Sequence, residues 1–150
     1  MRKRKLCLIF LLILTILSGC SAAANQKLTE NAETAKLYIE KEGYEVLSYE
    51  GSVSTYVLTK DLIKTLPYSM YWTLHGNDPQ QHYGKTVYVE KFIVKNHPLD
   101  NYKSGSAKSK GKTEVYVHLA TGEVVAGTSL PVMDEQLYGG YWNINGKTFN

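Results

Sequence analysis

The feature that most constrains this chain is the uncharged run Leu6 to Leu17, LCLIFLLILTIL, set directly behind the basic cluster Arg2-Lys3-Arg4-Lys5. A helix needs roughly twenty apolar residues to span a bilayer, so this run is too short to be a stable membrane span. Its length and basic flank are those of the core of a secretory signal peptide. Whatever folds therefore lies downstream of it and outside the cytosol. The run also distorts the charge balance. Four of the 17 Lys+Arg belong to the basic cluster, and the remaining 13 face 14 Asp+Glu, a net charge of −1. The formal +3 of the whole chain thus comes from the leader. A nucleic-acid-binding domain needs a basic patch on its folded part, which argues against nucleic acid as a partner. The length supports one domain rather than several.

Leu17-Ser18-Gly19-Cys20 follows the run: an aliphatic residue, two small ones and a cysteine. Small side chains let the backbone lie extended in a peptidase groove, and a thiolate is a good nucleophile for taking up a diacylglyceryl group. This arrangement resembles the lipobox of bacterial lipoproteins. The resemblance implies cleavage between Gly19 and Cys20 and lipidation of Cys20. Residues 1–19 then form the signal peptide, 20–28 the lipidated cysteine with a short tether, and 29–150 a single folded domain. The alternatives are a simple secretory signal, or an N-terminal anchor with an incidental cysteine. One acyl chain holds a protein to a bilayer only reversibly, whereas two hold it stably. The seven residues Ser21 to Lys27 reach about 25 Å when extended. The expected location is the extracytoplasmic face of the cell membrane, with membrane lipid as the anchoring partner. With Cys7 removed, no internal disulfide can form, and packing alone must stabilise the fold.

Downstream, Thr29 to Glu42 reads as a helix. Leu28, Ala32, Ala35 and Ile39 recur at helical spacing, Thr29 or Asn31 suits the N-cap, and Gly43 suits the residue past the end. Tyr44 to Tyr49 alternates as a strand, and Val53 to Leu58, beyond Gly51, reads as a second strand able to pair with it. Thr59 caps a short helix through Leu62, Ile63 and Leu66, and Pro67 opens a turn or two over Tyr68 to Leu74. Thr86 to Lys95 is the clearest strand, bulky on both faces and so expected in the middle of a sheet. Asn96 to Lys112 reads as a long, mobile polar loop. Thr113 to Leu119 and Glu123 to Leu130 form a hairpin about Thr121-Gly122, and Asn145-Gly146 marks a last tight turn after Tyr141 to Ile144. The order predicts an α+β fold: an antiparallel sheet of four to five strands with the N-terminal helix on one face.

No catalytic signature emerges. His75, His82, His97 and His118 have no compact ligand spacing, which predicts no metal site, and exposed polar histidines are the expected account. No serine lies in a nucleophile elbow, no glycine-rich phosphate loop is present, and no carboxylate pair reads as acid and base. No cofactor is expected. The unusual feature is tyrosine, 12 in all, beside Trp72 and Trp142. Such rings either cover sheet faces in a small domain that needs large side chains for its core, or form a recognition surface. The first account weighs more. For the second, the candidate surface is Tyr68, Tyr71, Trp72, Asn96, His97 and Trp142. In Val94 to Asp100, VKNHPLD, Pro98 holds His97 extended and Asn96 and Asp100 favour local turn bonds, which reads as a strand-exit corner.

Taken together, Leu66-Pro67-Tyr68, Tyr83-Gly84-Lys85, VKNHPLD, the strand hairpin and Gly139-Gly140-Tyr141 ahead of Asn145-Gly146-Lys147 resemble small lipoproteins of unknown function from Gram-positive, spore-forming bacilli. The resemblance covers residues 30 to 148 and implies a lipid-anchored envelope domain without assigned catalytic residues. The expected function is a non-catalytic binding or accessory module that meets an envelope or membrane protein. The alternatives are a small envelope hydrolase working through His97 and a neighbouring carboxylate, or a structural or inhibitory module that pairs a sheet edge with a partner strand.

Overall fold

The computed structural model describes residues 28–134 and 140–149. The leader, the lipobox with Cys20 and the tether up to Lys27 lie outside the described residues. The chain forms the expected α+β fold. Helix α1 (Glu30–Lys41) is followed by β1 (Glu45–Val57), α2 (Tyr68–Thr73), β2 (Thr86–Lys95), the short strands β3 (Lys103–Ser104) and β4 (Ala107–Lys108), then β5 (Thr113–Ala120), β6 (Glu123–Pro131) and β7 (Trp142–Asn143). The main sheet has the order β1-β2-β5-β6-β7, and each neighbouring pair is antiparallel.

Helix α1 starts where its sequence says it should. Thr29 Oγ1 accepts from Ala32 N at 3.2 Å, occupying one of the donors left free at a helix start. Gly43, with φ 92°, ends the helix in a conformation that costs other residues a Cβ clash. Ala32, Ala35 and Ile39 are fully buried against Phe92 and Val94 of β2 and Val115, Val117 and Leu119 of β5. Small residues on the helix let it approach the sheet closely, and aliphatic side chains at every second strand position meet it.

Two expectations are corrected. Residues 44–58 do not form two strands that pair with each other. They make one 13-residue strand, β1, which pairs along its length with β2. Gly51, at φ 104°, provides one of three register irregularities, between Tyr49 and Gly51. The extra residue bends the strand instead of reversing it. The segment 96–112 is also more ordered than a mobile loop. His97 and Asp100 form a capping box on the 3₁₀ turn Pro98–Asn101, β3 and β4 pair, and the Tyr102 ring packs 5.0 Å from that of Trp142. A backbone bond from Ser109 N to Tyr102 O closes the segment on itself, and one from Lys110 N to Val132 O ties it to the body of the domain. The short helix expected after Thr59 is a single 3₁₀ turn, Leu62–Lys64, with Thr59 Oγ1 accepting from Leu62 N.

The other face of the sheet is assembled differently. Alternation puts Val87 and Val89 of β2 on it. The register aligns them with Tyr56 and Ser54 of β1 and with Ala120 and His118 of β5; on β6, Ala126 stands beside His118 and Thr128 beside Tyr116. Helix α2 covers only one end of this face, burying Trp72 with Leu58, Val87, Ala120 and Ala126. Asn77 secures that cover. Its side chain donates to Tyr71 O at 2.7 Å and to Gly127 O, and accepts from Gly127 N at 3.1 Å. The short helix is thereby tied to β6, and the described residues leave the rest of the face open beside it.

Candidate functional site

The open part of this second face is a cleft of about 330 Å³. Five tyrosines line it: Tyr56 from β1, Tyr68 and Tyr71 from α2, Tyr116 from β5 and Tyr141 just ahead of β7. His118, Ser54, Thr128, Val53, Val89, Leu130 and Pro67 complete the lining. The rings meet at steep angles. Tyr56 and Tyr68 lie 4.7 Å apart at 63°, Tyr68 and Tyr71 6.2 Å apart at 80°, and Tyr71 and Tyr141 5.3 Å apart at 75°. Edge-to-face contact of this kind sets the positive rim of one ring against the negative face of the next, so the wall is held by its own ring electrostatics.

At the edge of the cleft is a hydrogen-bonded relay. The indole N–H of Trp72 donates to Tyr56 Oη at 3.2 Å, and Tyr56 Oη lies 3.0 Å from His118 Nδ1. An indole can only donate, so the phenolic proton of Tyr56 is free to go to Nδ1; in that tautomer the neutral ring carries its proton on Nε2. His118 is 1% exposed, and its Nε2 has no hydrogen-bond partner among the described residues. A buried donor left without a partner costs about 1–3 kcal/mol, so an orphan of this kind requires an explanation.

Burial sets the protonation of the site. It pushes the His118 pKa down to about 4, because an imidazolium there would lose its hydration. It raises Tyr56 as the largest cause, and pushes Tyr71 up to about 12 with help from Tyr141. Burial also raises Tyr116, followed by its hydrogen bond to Glu114. The lining is therefore uncharged at neutral pH. The nearest charges neutralise each other at one side: Lys91 Nζ lies 2.9 Å from Glu114 Oε1, and Tyr116 Oη donates to Glu114 Oε2 at 2.6 Å.

The structure brings together only part of the candidate surface drawn from the sequence. Tyr68 and Tyr71 line the cleft, and Trp72 is buried directly behind it, supporting Tyr56. Asn96 and His97 sit at the far end of β2, in the corner after the strand, and Trp142 is buried against Tyr102. His97 is a structural residue. Its Nδ1 accepts from Leu99 N at 3.1 Å, its Nε2 lies 2.9 Å from Ile144 O, and its backbone N–H donates to Asp100 Oδ2. Burial lowers its pKa as the main cause. With both ring nitrogens engaged, it has no face for a substrate. The exposed-histidine account holds for His75 and is corrected for His97 and His118, which are both buried. Alternation drives His118 into the sheet face, and Pro98 with the capping box drives His97 inward.

Tyr56, Tyr116 and His118 escaped the sequence reading. One signal was present: Tyr116 and His118 stand at period two, opposite the aliphatic row Val115-Val117-Leu119, so a ring-bearing face is visible within β5 itself. Among the described residues, no group of three or more His, Cys, Asp or Glu side chains could hold a metal ion, and no helix is long and apolar enough to cross a membrane. The chain matches no protein-family model, no curated protein and no solved structure.

Proposed function

We propose that the protein is a lipid-anchored, extracytoplasmic binding module of the cell envelope, held through Cys20 at the outer face of the cytoplasmic membrane, with the tyrosine cleft as its ligand site. The observation that carries the binding role is the cleft: an uncharged aromatic cavity lined in part by His118, whose buried Nε2 no described residue satisfies. Cavities lined by apolar and aromatic groups with a few convergent polar atoms are where small ligands bind. The site favours binding over turnover. A histidine with a pKa near 4 is a weak base at neutral pH, and its other nitrogen is committed to Tyr56. The leader supports the location, through its basic start, its short apolar core and Leu-Ser-Gly-Cys.

Pairing of β1 with a partner strand has weaker support. β1 is the edge of the sheet, but its three register irregularities interrupt the flat row of backbone groups such pairing needs.

Two measurements test the proposal. Cells fed a clickable fatty acid should label the wild-type protein and not Cys20→Ala, which should leave the membrane fraction; an unlabelled wild type, or a variant that stays equally membrane-bound, removes the anchor. For the cleft, the full chain purified in detergent from its own cells should carry a small molecule that mass spectrometry detects and Tyr68→Ala loses. Equal retention by both proteins would place binding elsewhere.

A further inference from the structure

We propose that the cleft takes an uncharged ring of sugar size bearing an acyl-amide group, whose carbonyl oxygen accepts from His118 Nε2–H. This rests on reading the cleft as a binding site.

The relay fixes what the ligand must offer. With Trp72 donating to Tyr56, the tautomer in which Tyr56 donates to His118 Nδ1 leaves a buried Nε2–H whose unmet need is for an acceptor. A carboxylate or phosphate would be the strongest acceptor, but none of the residues lining the cleft carries a charge to offset one, and the nearest cation, Lys91, is already paired with Glu114. A buried ion without a counter-charge loses more hydration than it regains. An ammonium group fails on both counts, since it brings no acceptor and no partner awaits it. An amide carbonyl is the strong acceptor that carries no net charge. The amide N–H that accompanies it needs an oxygen in turn, which the hydroxyls of Ser54 and Thr128 supply on the same lining.

The rings fix the rest. Phenols at steep mutual angles present faces as well as edges to the cleft, and flat, C–H-rich surfaces pack on such faces. A volume of about 330 Å³ stands at the small end of ligand cavities, which run from about 300 to 1,000 Å³. It suits a single ring with a short substituent. The competing account is internal: the Tyr71 ring, 5.6 Å from His118 at 61°, could receive Nε2–H on its face, in which case the donor needs no ligand.

The probe series is N-acetylglucosamine, glucose and glucosamine, which hold the ring constant while adding the amide, removing it, or replacing it with a cation. The uncharged N-acetyltyrosinamide serves as a non-sugar amide. Each is titrated into the full chain in detergent, with the ring nitrogens of ¹⁵N-labelled histidine observed by NMR. N-acetylglucosamine should saturate and move the His118 Nε2–H proton downfield. Glucose and glucosamine should bind at least tenfold more weakly, and Tyr68→Ala, a half-exposed position, should lose at least tenfold while keeping the His97 signals of a folded domain. Equal binding of glucose, or binding that leaves Nε2–H unmoved, overturns the amide assignment. If only N-acetyltyrosinamide binds at the His118 ring, the sugar assignment falls and the binding site stands. If no probe binds and Nε2–H shows the upfield shift of a proton over an aromatic face, the inference and the site both fall.

Discussion

The two faces of the sheet use the same strands to different ends. Toward α1, the alternating residues of β2 and β5 are mostly carbon: Phe92, Val94, Val115, Val117 and Leu119 are fully buried beneath Ala32, Ala35 and Ile39, and the one buried carboxylate in the β2 row, Glu90, accepts from Tyr49 Oη at 2.6 Å. Toward α2, the intervening residues include Tyr116 and His118, and the cover is a six-residue helix that reaches only part of the way. Among the described residues, the first face leaves no buried side-chain polar atom without a partner. The other leaves a cavity, five phenols and an unpartnered imidazole nitrogen. Stability is concentrated on the first face and the proposed recognition site lies on the second, and alternation along a strand is what allows one sheet to carry both.

The sharpest way to break this comparison is to damage the α1 face alone. Phe92→Ala removes a fully buried ring packed 5.0 Å from Tyr49, and should cost about 3–5 kcal/mol. Urea unfolding at pH 7.5 would measure it. At urea concentrations where the variant is still folded, the tyrosine cleft should be unchanged, as read by the ring signals of His118. A loss under 1 kcal/mol, or a cleft that collapses along with the core, would mean that the two faces do not divide the work.

Next in size is an effect of pH that belongs to the second face. The His118 pKa is about 4 in the fold and about 6.5 in an unfolded chain. Below pH 6.5 the unfolded chain takes up a proton that the folded chain refuses until pH 4, so stability is complete above pH 6.5 and falls as pH drops between those values. At about 1.4 kcal/mol per unit, the loss amounts to roughly 3 kcal/mol. His97, also depressed by burial and facing Asp100, Tyr44 and Ile144, contributes with the same sign. Carboxylates add their own slope at the acid end. The measurement is therefore a difference: urea midpoints of wild type and His118→Leu at pH 7.5, 6, 5 and 4.5, with the variant losing much of the slope. Parallel curves would show that His118 is already solvated or charged in the folded protein.

The sequence revealed these two faces unequally, for physical reasons. α1 was legible because its signals are local: Thr29 caps it, Gly43 ends it, and Ala32, Ala35 and Ile39 mark its buried stripe. The hairpin between β5 and β6 was legible for the same reason, since Thr121 and Gly122 both take positive φ in the two-residue turn that matches strand twist. The cleft depends on register instead. Tyr56 meets His118 across 62 residues of sequence, and only the joint alignment of β1, β2 and β5 brings them together. β1 was read as two strands because Gly51 serves equally well in a turn and in a bulge, and pairing along the whole of β2 decided the matter. The corner VKNHPLD was legible as a corner because its bonds are local as well.

The smallest effect tests how the second face is kept partly open. Asn77 is the clamp between α2 and β6. Its amide makes three bonds, to Tyr71 O, Gly127 O and Gly127 N, at a half-exposed position where water can replace part of them. Asn77→Ala should therefore cost only about 1–2 kcal/mol, well below the change at Phe92. Its effect on the cleft should be disproportionate. Once untied, α2 can shift, and Tyr68 and Tyr71 shift with it, while Tyr56, Tyr116 and His118 remain fixed in the strands. Hydrogen exchange would then speed up across Tyr68–Thr73 and stay slow across α1, and aromatic NMR signals would move for the helix tyrosines more than for the strand tyrosines. If protection is lost equally in α1 and α2, the domain opens as one unit, and the cleft is part of the core rather than a separately supported site.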